Sequence, residues 1–533
     1  MSGRHSLESV AAEVFGWDSL RSEQITAMSA ILDNRDVLAV MPTGAGKSAI
    51  YQVPAVLLSG PVLVISPLIA LQHDQIAQLE RVDAPRAVAI NSRQKATVLH
   101  DAWAAVERGE ARYVFLGPEQ LVKDDVLARL ADAVPALVVV DEAHCISAWG
   151  HEFRPTYLRV RDAIERLGRP PVAALTATAS AVVRREIVEM LALREPVVIA
   201  GGFDRPNIAL EVRHHTEDAA KRDAVVDTVA ALERPGLLYC ATRKDTGFYA
   251  DKLRQRGVAA VEYHAGLGAA ERDDVHNRFL ADDVDVVVAT SAFGMGIDKP
   301  NARFVAHASI SDSVDAYYQQ VGRAGRDDDP ARAVLFYRAE DLSLGAFFAT
   351  RHVDEDLLRQ VHAALSGRKP KRLKELRDEL EVRGRPLTAS LNLLEQAGAV
   401  ASGRSGFSGT GLAEDEAVRK AVEMAEIGER VDRTRVEMMR SYAETPDCRR
   451  QFLLAYFGDY LPEPCGNCDR CRDGGAAPTS EKPAIAAGTH VEHREWGPGV
   501  VLQGDANRIT ALFDYYGYRL LSVDAIGDVL TVR

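Results

Sequence analysis

The sequence predicts an α/β protein: two tandem domains, each built on a parallel sheet, then a helical region, a cysteine cluster and a small C-terminal β-barrel. Three observations carry this. Short apolar runs alternate with helical stretches over about 20–205 and again over about 236–340, as suits strands buried on both faces of a parallel sheet. After Asp341 helices dominate. Over 486–533 apolar and polar residues alternate between glycine breaks, the pattern of a small barrel.

In the first domain (1–205) the strands are DVLAVM (36–41), PVLVIS (61–66), YVFL (113–116) and ALVVV (136–140); in the second (206–345) they are GLLYC (236–240), VDVVVAT (284–290) and RFVAHA (303–308). Helices are expected near 354–366, 371–381 and 387–397, before a Gly/Ser-rich hairpin or loop, ASGRSGFSGTG (401–411). A helical stretch over 413–444 leads to the cysteine-bearing module (413–473), and GGAAPTSEKP opens a linker over 474–485.

Composition is that of a soluble globular protein, with 47% apolar and 26% charged residues. A net charge of −13 argues against coating nucleic acid through bulk charge and leaves room for a local basic groove. No apolar run approaches the roughly 18 residues of a membrane span, and MSGRHSLESV lacks a signal-peptide layout. A cytoplasmic location and no membrane partner are the expectation. Four of the six cysteines fall between Cys448 and Cys471, and clustered thiols in a cytoplasmic chain bind metal more often than they form disulfides.

MPTGAGKS (41–48) follows one strand and precedes a helix. Backbone N–H groups of Thr43, Gly44, Ala45 and Gly46 would surround phosphates at a helix N-terminus, Lys47 would reach the β/γ-phosphates of ATP, and Ser48 would ligate Mg²⁺. Met41 stands where the strict pattern has glycine. Asp141-Glu142-Ala143-His144 ends the strand ALVVV, at the edge where open parallel sheets bind ligands. Asp141 would hold Mg²⁺ and Glu142 would orient or deprotonate the attacking water. In the second domain, Gln320, Arg323 and Arg326 stand in QQVGRAGR (319–326). The two arginines, at i and i+3, would share a helix face and reach the γ-phosphate across an interdomain cleft. Cys448, Cys465, Cys468 and Cys471 supply four thiolates with C-x₂-C-x₂-C spacing, fitting a closed structural Zn²⁺ site, with an iron–sulfur cluster as the alternative.

Together these residues resemble superfamily-2 helicases, and among them the RecQ family of DNA helicases. FGWDSLRSEQ (15–24) is similar to the family's motif 0, where Gln24 would read the adenine edge between Trp17 and Arg21. SPLIALQHDQ (66–75), LTATA (175–179), ATSAFGMGIDKPNARFVAH (289–307) and YYQQVGRAGRD (317–327) resemble motifs Ia, III, V and VI. CISAWGHEFRPTY (145–157) resembles the aromatic-rich loop of these enzymes; Trp149 and Phe153 would stack on unpaired bases, and His151 and Arg154 would make polar contacts. A buried aromatic patch is the plainer reading of that loop. The resemblance implies RecA-like domains and 3′→5′ unwinding of duplex DNA from a single strand, in recombination or repair. The cysteine segment resembles the RecQ zinc module.

The chain departs from the family after that module, where the usual winged-helix and HRDC domains are expected to be absent. Instead, 350–412 looks like a relocated winged helix, with the basic loop RKPKRLK (368–374). The segment 488–521 resembles the Tudor- or SH3-like barrel that ends UvrD/PcrA-type helicases, which suggests a protein partner such as RNA polymerase or repair factors. Two other readings remain: an RNA-directed superfamily-2 helicase, and a scaffold recruited through the barrel.

Overall fold

The structure is a computed structural model of the 533-residue chain. It describes all residues except 1, 68, 83, 92–93, 148–156, 158, 295–298, 343–352, 368, 383–384, 404–405, 460, 476–483, 487, 505–506 and 533.

The first domain holds β1 (Val37–Val40), β2 (Val62–Ile65), β3 (Ala87–Ile90), β4 (Tyr113–Leu116), β5 (Leu137–Val140), β6 (Val172–Thr176) and β7 (Val197–Ala200). They form one parallel sheet in the order β3-β4-β2-β5-β6-β1-β7. The apolar runs are continuous because both faces are covered. Val37 and Ala39 enter one core layer with Met28, Ile31 and Ile50, while Leu38 and Val40 enter the other.

The second domain holds β8 (Ile208–His214), β9 (Gly236–Tyr239), β10 (Ala260–Tyr263), β11 (Val286–Ala289), β12 (Phe304–His307) and β13 (Ala331–Tyr337), parallel in the order β10-β11-β9-β12-β13-β8. Leu238, Val288 and Phe304 fill its outer layer. Leu237, Val287 and Val305 belong to the same apolar core as Leu38 and Val40 of the first domain.

Helices Glu355–Leu365, Leu373–Leu380 and Arg385–Gln396 precede a hairpin of β14 (Val400–Gly403) and β15 (Gly406–Gly409). Asp354 caps the first helix by accepting the Leu357 N–H at 2.9 Å. Lys371 forms an isolated antiparallel bridge with Phe407, which lays the segment before the second helix against the hairpin. Leu358, Val361, Leu376, Leu387, Leu391 and Leu394 give the unit its own core. Arg159 pairs with Glu395 and so ties it to the first domain.

A 31-residue helix, Glu414–Glu444, follows, then the helices Arg449–Tyr456 and Asp469–Arg472. The C-terminal unit is a five-stranded antiparallel sheet of β16 (His490–His493), β17 (Gly497–Gly504), β18 (Arg508–Phe513), β19 (Gly517–Ser522) and β20 (Leu530–Val532), in the order β19-β18-β17-β16-β20.

The linker composition suggests a separate unit, but this one does not stand apart from the two α/β domains. Val501, Ile509, Ala511 and Phe513 fill its own core, whereas Val500, Leu502, Leu512 and Tyr518 face outward and join the core of the two α/β domains. Tyr518 Oη lies 2.7 Å from Tyr456 Oη, which donates to Asp315 Oδ2 at 2.5 Å. The alternation of strand β18 does not continue through Tyr515 and Tyr516. The strand ends at Phe513, and residues 514–516 form the turn to β19. Tyr515 is 51% exposed there.

Candidate active site

The phosphate loop leaves β1 and enters the helix Ala49–Leu57 through two left-handed glycines, Gly44 (φ +87°) and Gly46 (φ +73°). A Cβ on Gly46 would lie 2.6 Å from Gln24 Nε2. Gln24 donates to the carbonyls of Ala45 (3.2 Å) and Gly46 (3.0 Å), and its Oε1 accepts the Arg21 N–H (2.8 Å). Its carboxamide therefore clips the loop to the helix Ser22–Leu32. Trp17 stacks on Phe15 at 4.8 Å and Arg21 is exposed. Lys47 is folded onto its own loop, its Nζ donating to Met41 O (3.0 Å) and Pro42 O (3.3 Å). Burial pushes its pKa down, against the opposing pull of Glu142 and Asp141.

Asp141 and Glu142 stand just past β5, beside that lysine. Burial, and then the Glu142 carboxylate, push the Asp141 carboxyl up to about 7. Ser66 Oγ donates to Asp141 Oδ2 at 3.5 Å. A half-buried carboxyl that resists ionisation next to a second one fits a place for a cation. Glu142 has φ +49°, a sparsely populated conformation for a non-glycine. Its Oε2 lies 3.3 Å from His144 Nδ1, which also contacts Thr176 Oγ1 at 2.8 Å. This histidine joins the acidic pair to LTATA.

In the second domain the helix Val314–Val321 ends one residue before Gly322. Arg323 and Arg326 therefore lie in the following turn, correcting the expectation of a shared helix face. They part company: Arg323 is buried beside Tyr239 and Gly294, while Arg326 reaches the phosphate loop, its Cγ 3.6 Å from where a Cβ on Gly44 would sit. Gln320 Oε1 accepts from His307 Nε2 (2.8 Å) and Ser311 Oγ (3.2 Å). An amide oxygen only accepts, so His307 carries its proton on Nε2. Burial holds its pKa near 4.

Trp149, His151, Phe153 and Arg154 lie outside the described residues. The flanks of their loop are anchored. Ser147 Oγ donates to Glu186 Oε2 at 2.5 Å, and buried Tyr157 donates to the Asp141 carbonyl at 3.2 Å.

The thiols of Cys448, Cys465, Cys468 and Cys471 converge with all four sulfurs within 4.8 Å of one another. The Cys465–Cys471 and Cys468–Cys471 separations, 3.9 and 3.4 Å, bracket the ~3.8 Å edge of a tetrahedron with Zn–S near 2.3 Å. Backbone N–H groups of Cys465, Asn467 and Cys471 donate to Cys448, Cys465 and Cys468 sulfurs at 3.3–3.4 Å. Hydrogen bonds from neighbouring thiols hold Cys468 down as a thiolate, while burial pushes Cys471 up to about 11. Four convergent cysteine sulfurs at this spacing fit a closed tetrahedral Zn²⁺ site.

Sequence reading missed two groups. Arg205, in the segment between β7 and β8, contacts both domains. Asp315, Tyr456 and Tyr518 form a buried polar chain linking the helix Val314–Val321, the cysteine module and the C-terminal sheet. The only local hint is that Arg205-Pro206 sits at the junction of the two α/β halves.

Family models match in three places: DEAD/DEAH box helicase over 21–186, helicase conserved C-terminal domain over 220–328, and RecQ zinc-binding over 414–472. The ATP-dependent DNA helicase RecQ of Haemophilus influenzae is 34% identical over 467 residues, 87% of this chain and 63% of that protein. Its namesake from Bacillus subtilis is 32% identical over 477 residues, 89% of this chain and 68% of that protein. The chain thus spans about three fifths of the length of the Haemophilus relative. The Mycobacterium smegmatis helicase Lhr, solved with ssDNA and AMP-PNP, superposes with a TM-score of 0.51 at 19% identity, covering 80% of this chain and 61% of that one. At that identity the likeness concerns the fold.

Proposed function

This chain belongs to the RecQ family of superfamily-2 helicases, and from that premise we propose that it is an ATP-driven DNA helicase. It moves 3′→5′ along a single strand and splits duplex DNA, in recombination or repair. One observation carries the reading. The phosphate loop of the first domain is faced by the arginine-bearing turn of the second, with Arg326 against Gly44 and a Cβ on Gly322 only 3.8 Å from Thr43 Cβ. A nucleotide between them senses both domains at once.

The loop's N–H groups cradle the phosphates, and Lys47 exchanges its two carbonyl partners for phosphate oxygens. Ser48 and Asp141 would hold Mg²⁺, which would supply positive charge to the phosphates. Glu142 orients the attacking water, with His144 fixing its carboxylate. Arg326 meets the γ-phosphate, and Arg323 and Gln320 brace the turn behind it. Trp17, Arg21 and Gln24 flank the adenine. Trp149 and Phe153 stack on unpaired bases while His151 and Arg154 steady the strand. Because Tyr157 bonds to the Asp141 backbone, strand binding is felt at the acidic pair. The exposed Tyr515 turn of the barrel is offered to a protein partner, RNA polymerase or a repair factor.

ATP turnover measured with single-stranded DNA, with RNA and with neither tests this. DNA should stimulate strongly and RNA weakly. Equal stimulation by RNA would favour an RNA-directed motor, and no stimulation by either would favour a recruited scaffold.

A further inference from the structure

Residues 201–207 (GGFDRPN) join β7 to β8 and form the hinge between the two sheets. Arg205 lies within this hinge, and backbone carbonyls surround its guanidinium. It donates to Gly325 O at 2.6 Å, Ala324 O at 3.1 Å, Gly322 O at 3.4 Å and Thr43 O at 3.4 Å. Among the described residues it makes no ion pair.

Three of these carbonyls belong to the turn that ends the helix Val314–Val321. A helix C-terminus presents unsatisfied carbonyls and the negative end of the dipole, so a cation is favoured there. The fourth carbonyl is in the phosphate loop of the other domain. One planar fork therefore spans the loop and the turn that carries Arg326.

The hinge around it is held from the zinc side. Phe203 stacks on Phe457 at 5.1 Å, its N–H donates to Asp459 Oδ2 at 3.2 Å, and its carbonyl accepts from Tyr318 at 2.6 Å. Asn467, between two of the cysteines, donates to the Pro206 carbonyl at 3.0 Å. Arg205 is thus aimed by the cysteine module at the interdomain cleft.

We infer that Arg205 is a positioning residue for ATP hydrolysis: it holds the turn 322–326 against the phosphate loop and so sets where Arg326 meets the γ-phosphate. The inference rests on the ATP-site reading above.

The test uses the full chain, with kcat and KM for DNA-stimulated ATP hydrolysis, the melting midpoint and zinc content. Arg205→Lys keeps a cation for the helix end, but a single ammonium lacks the fork that spans to Thr43. Arg205→Lys should therefore melt like the wild type and bind its zinc, yet lose kcat by about tenfold or more with KM within about twofold. Arg205→Ala should lose kcat at least as far. Combining Arg205→Ala with Arg326→Ala should be no slower than Arg326→Ala alone, because the first acts through the second. Full kcat in Arg205→Lys would overturn the inference by reducing the residue to a helix cap. Multiplied losses in the double variant would also overturn it. Turnover of the wild type on DNA tests the underlying reading separately.

Discussion

Asp141 is the residue whose environment makes the sharpest demand. Its carboxyl is raised to about 7 by burial and by Glu142. Its folded pKa lies above the ordinary value, so the native state without a cation holds an extra proton between about pH 4 and 7. In that window stability falls as pH rises. A cation at Asp141 must displace that proton below about pH 7. Mg²⁺ affinity in the presence of ADP should therefore weaken about tenfold per pH unit below 7. Asp141→Asn should bind Mg²⁺ weakly and without that slope. A flat wild-type titration would contradict the burial account. Lys47→Ala should cut ATP hydrolysis by about a hundredfold or more while DNA binding persists, if the loop cradles phosphate as proposed. Normal hydrolysis by that variant would remove the site assignment.

These residues were legible in the sequence because their chemistry is contiguous: a strand, a glycine turn and a lysine, or a strand and two acids. Arg205 was not legible, because its meaning lies in carbonyls 117–162 positions away. The clip of Gln24 on Ala45 and Gly46 was not legible either, because it comes from a separate helix.

Among the elements, the buried strands and the long helix Glu414–Glu444 follow the sequence pattern closely, because each is a continuous run of one periodicity. Ends set by tertiary contact did not follow it. The helix Val314–Val321 stops at Gly322, where Arg205 takes up the carbonyls, and β18 stops before Tyr515. The cysteine module is the element with a direct test. Its sulfurs, together with Arg449 buried against Asp469, shape the surface that grips β8. Cys465→Ala, or removal of Zn²⁺ by a chelator, should lower stability by several kcal/mol, read as a drop in the melting midpoint. Elemental analysis should find one zinc per chain, and iron in its place would overturn the metal assignment. For the loop 145–157, Trp149→Ala should leave basal ATP turnover intact and blunt its stimulation by DNA. Unchanged stimulation would make the loop structural.

At the scale of the molecule, the two α/β domains, the cysteine module and the C-terminal sheet share one apolar core. This changes what removal of the barrel should do. The linker over 474–485 suggests a tethered module. The docked face instead buries Val500, Leu502, Leu512 and Tyr518, and Gly517 approaches Thr434 so closely that a Cβ would lie 2.2 Å from its Oγ1. A chain ending near residue 480 should keep its ATP site but melt lower, and Tyr518→Phe should cost about 1 kcal/mol. An unchanged midpoint in both would return the barrel to a loose tether. The central claim, that ATP turnover drives a strand-separating motor with a fixed direction on DNA, is tested most directly by strand displacement on 3′-tailed and 5′-tailed duplexes with ATP and Mg²⁺. The account predicts release from the 3′-tailed DNA duplex and none from the 5′-tailed one, abolished by Lys47→Ala. Release from the 5′-tailed substrate alone, or from neither while ATP is hydrolysed, would contradict it.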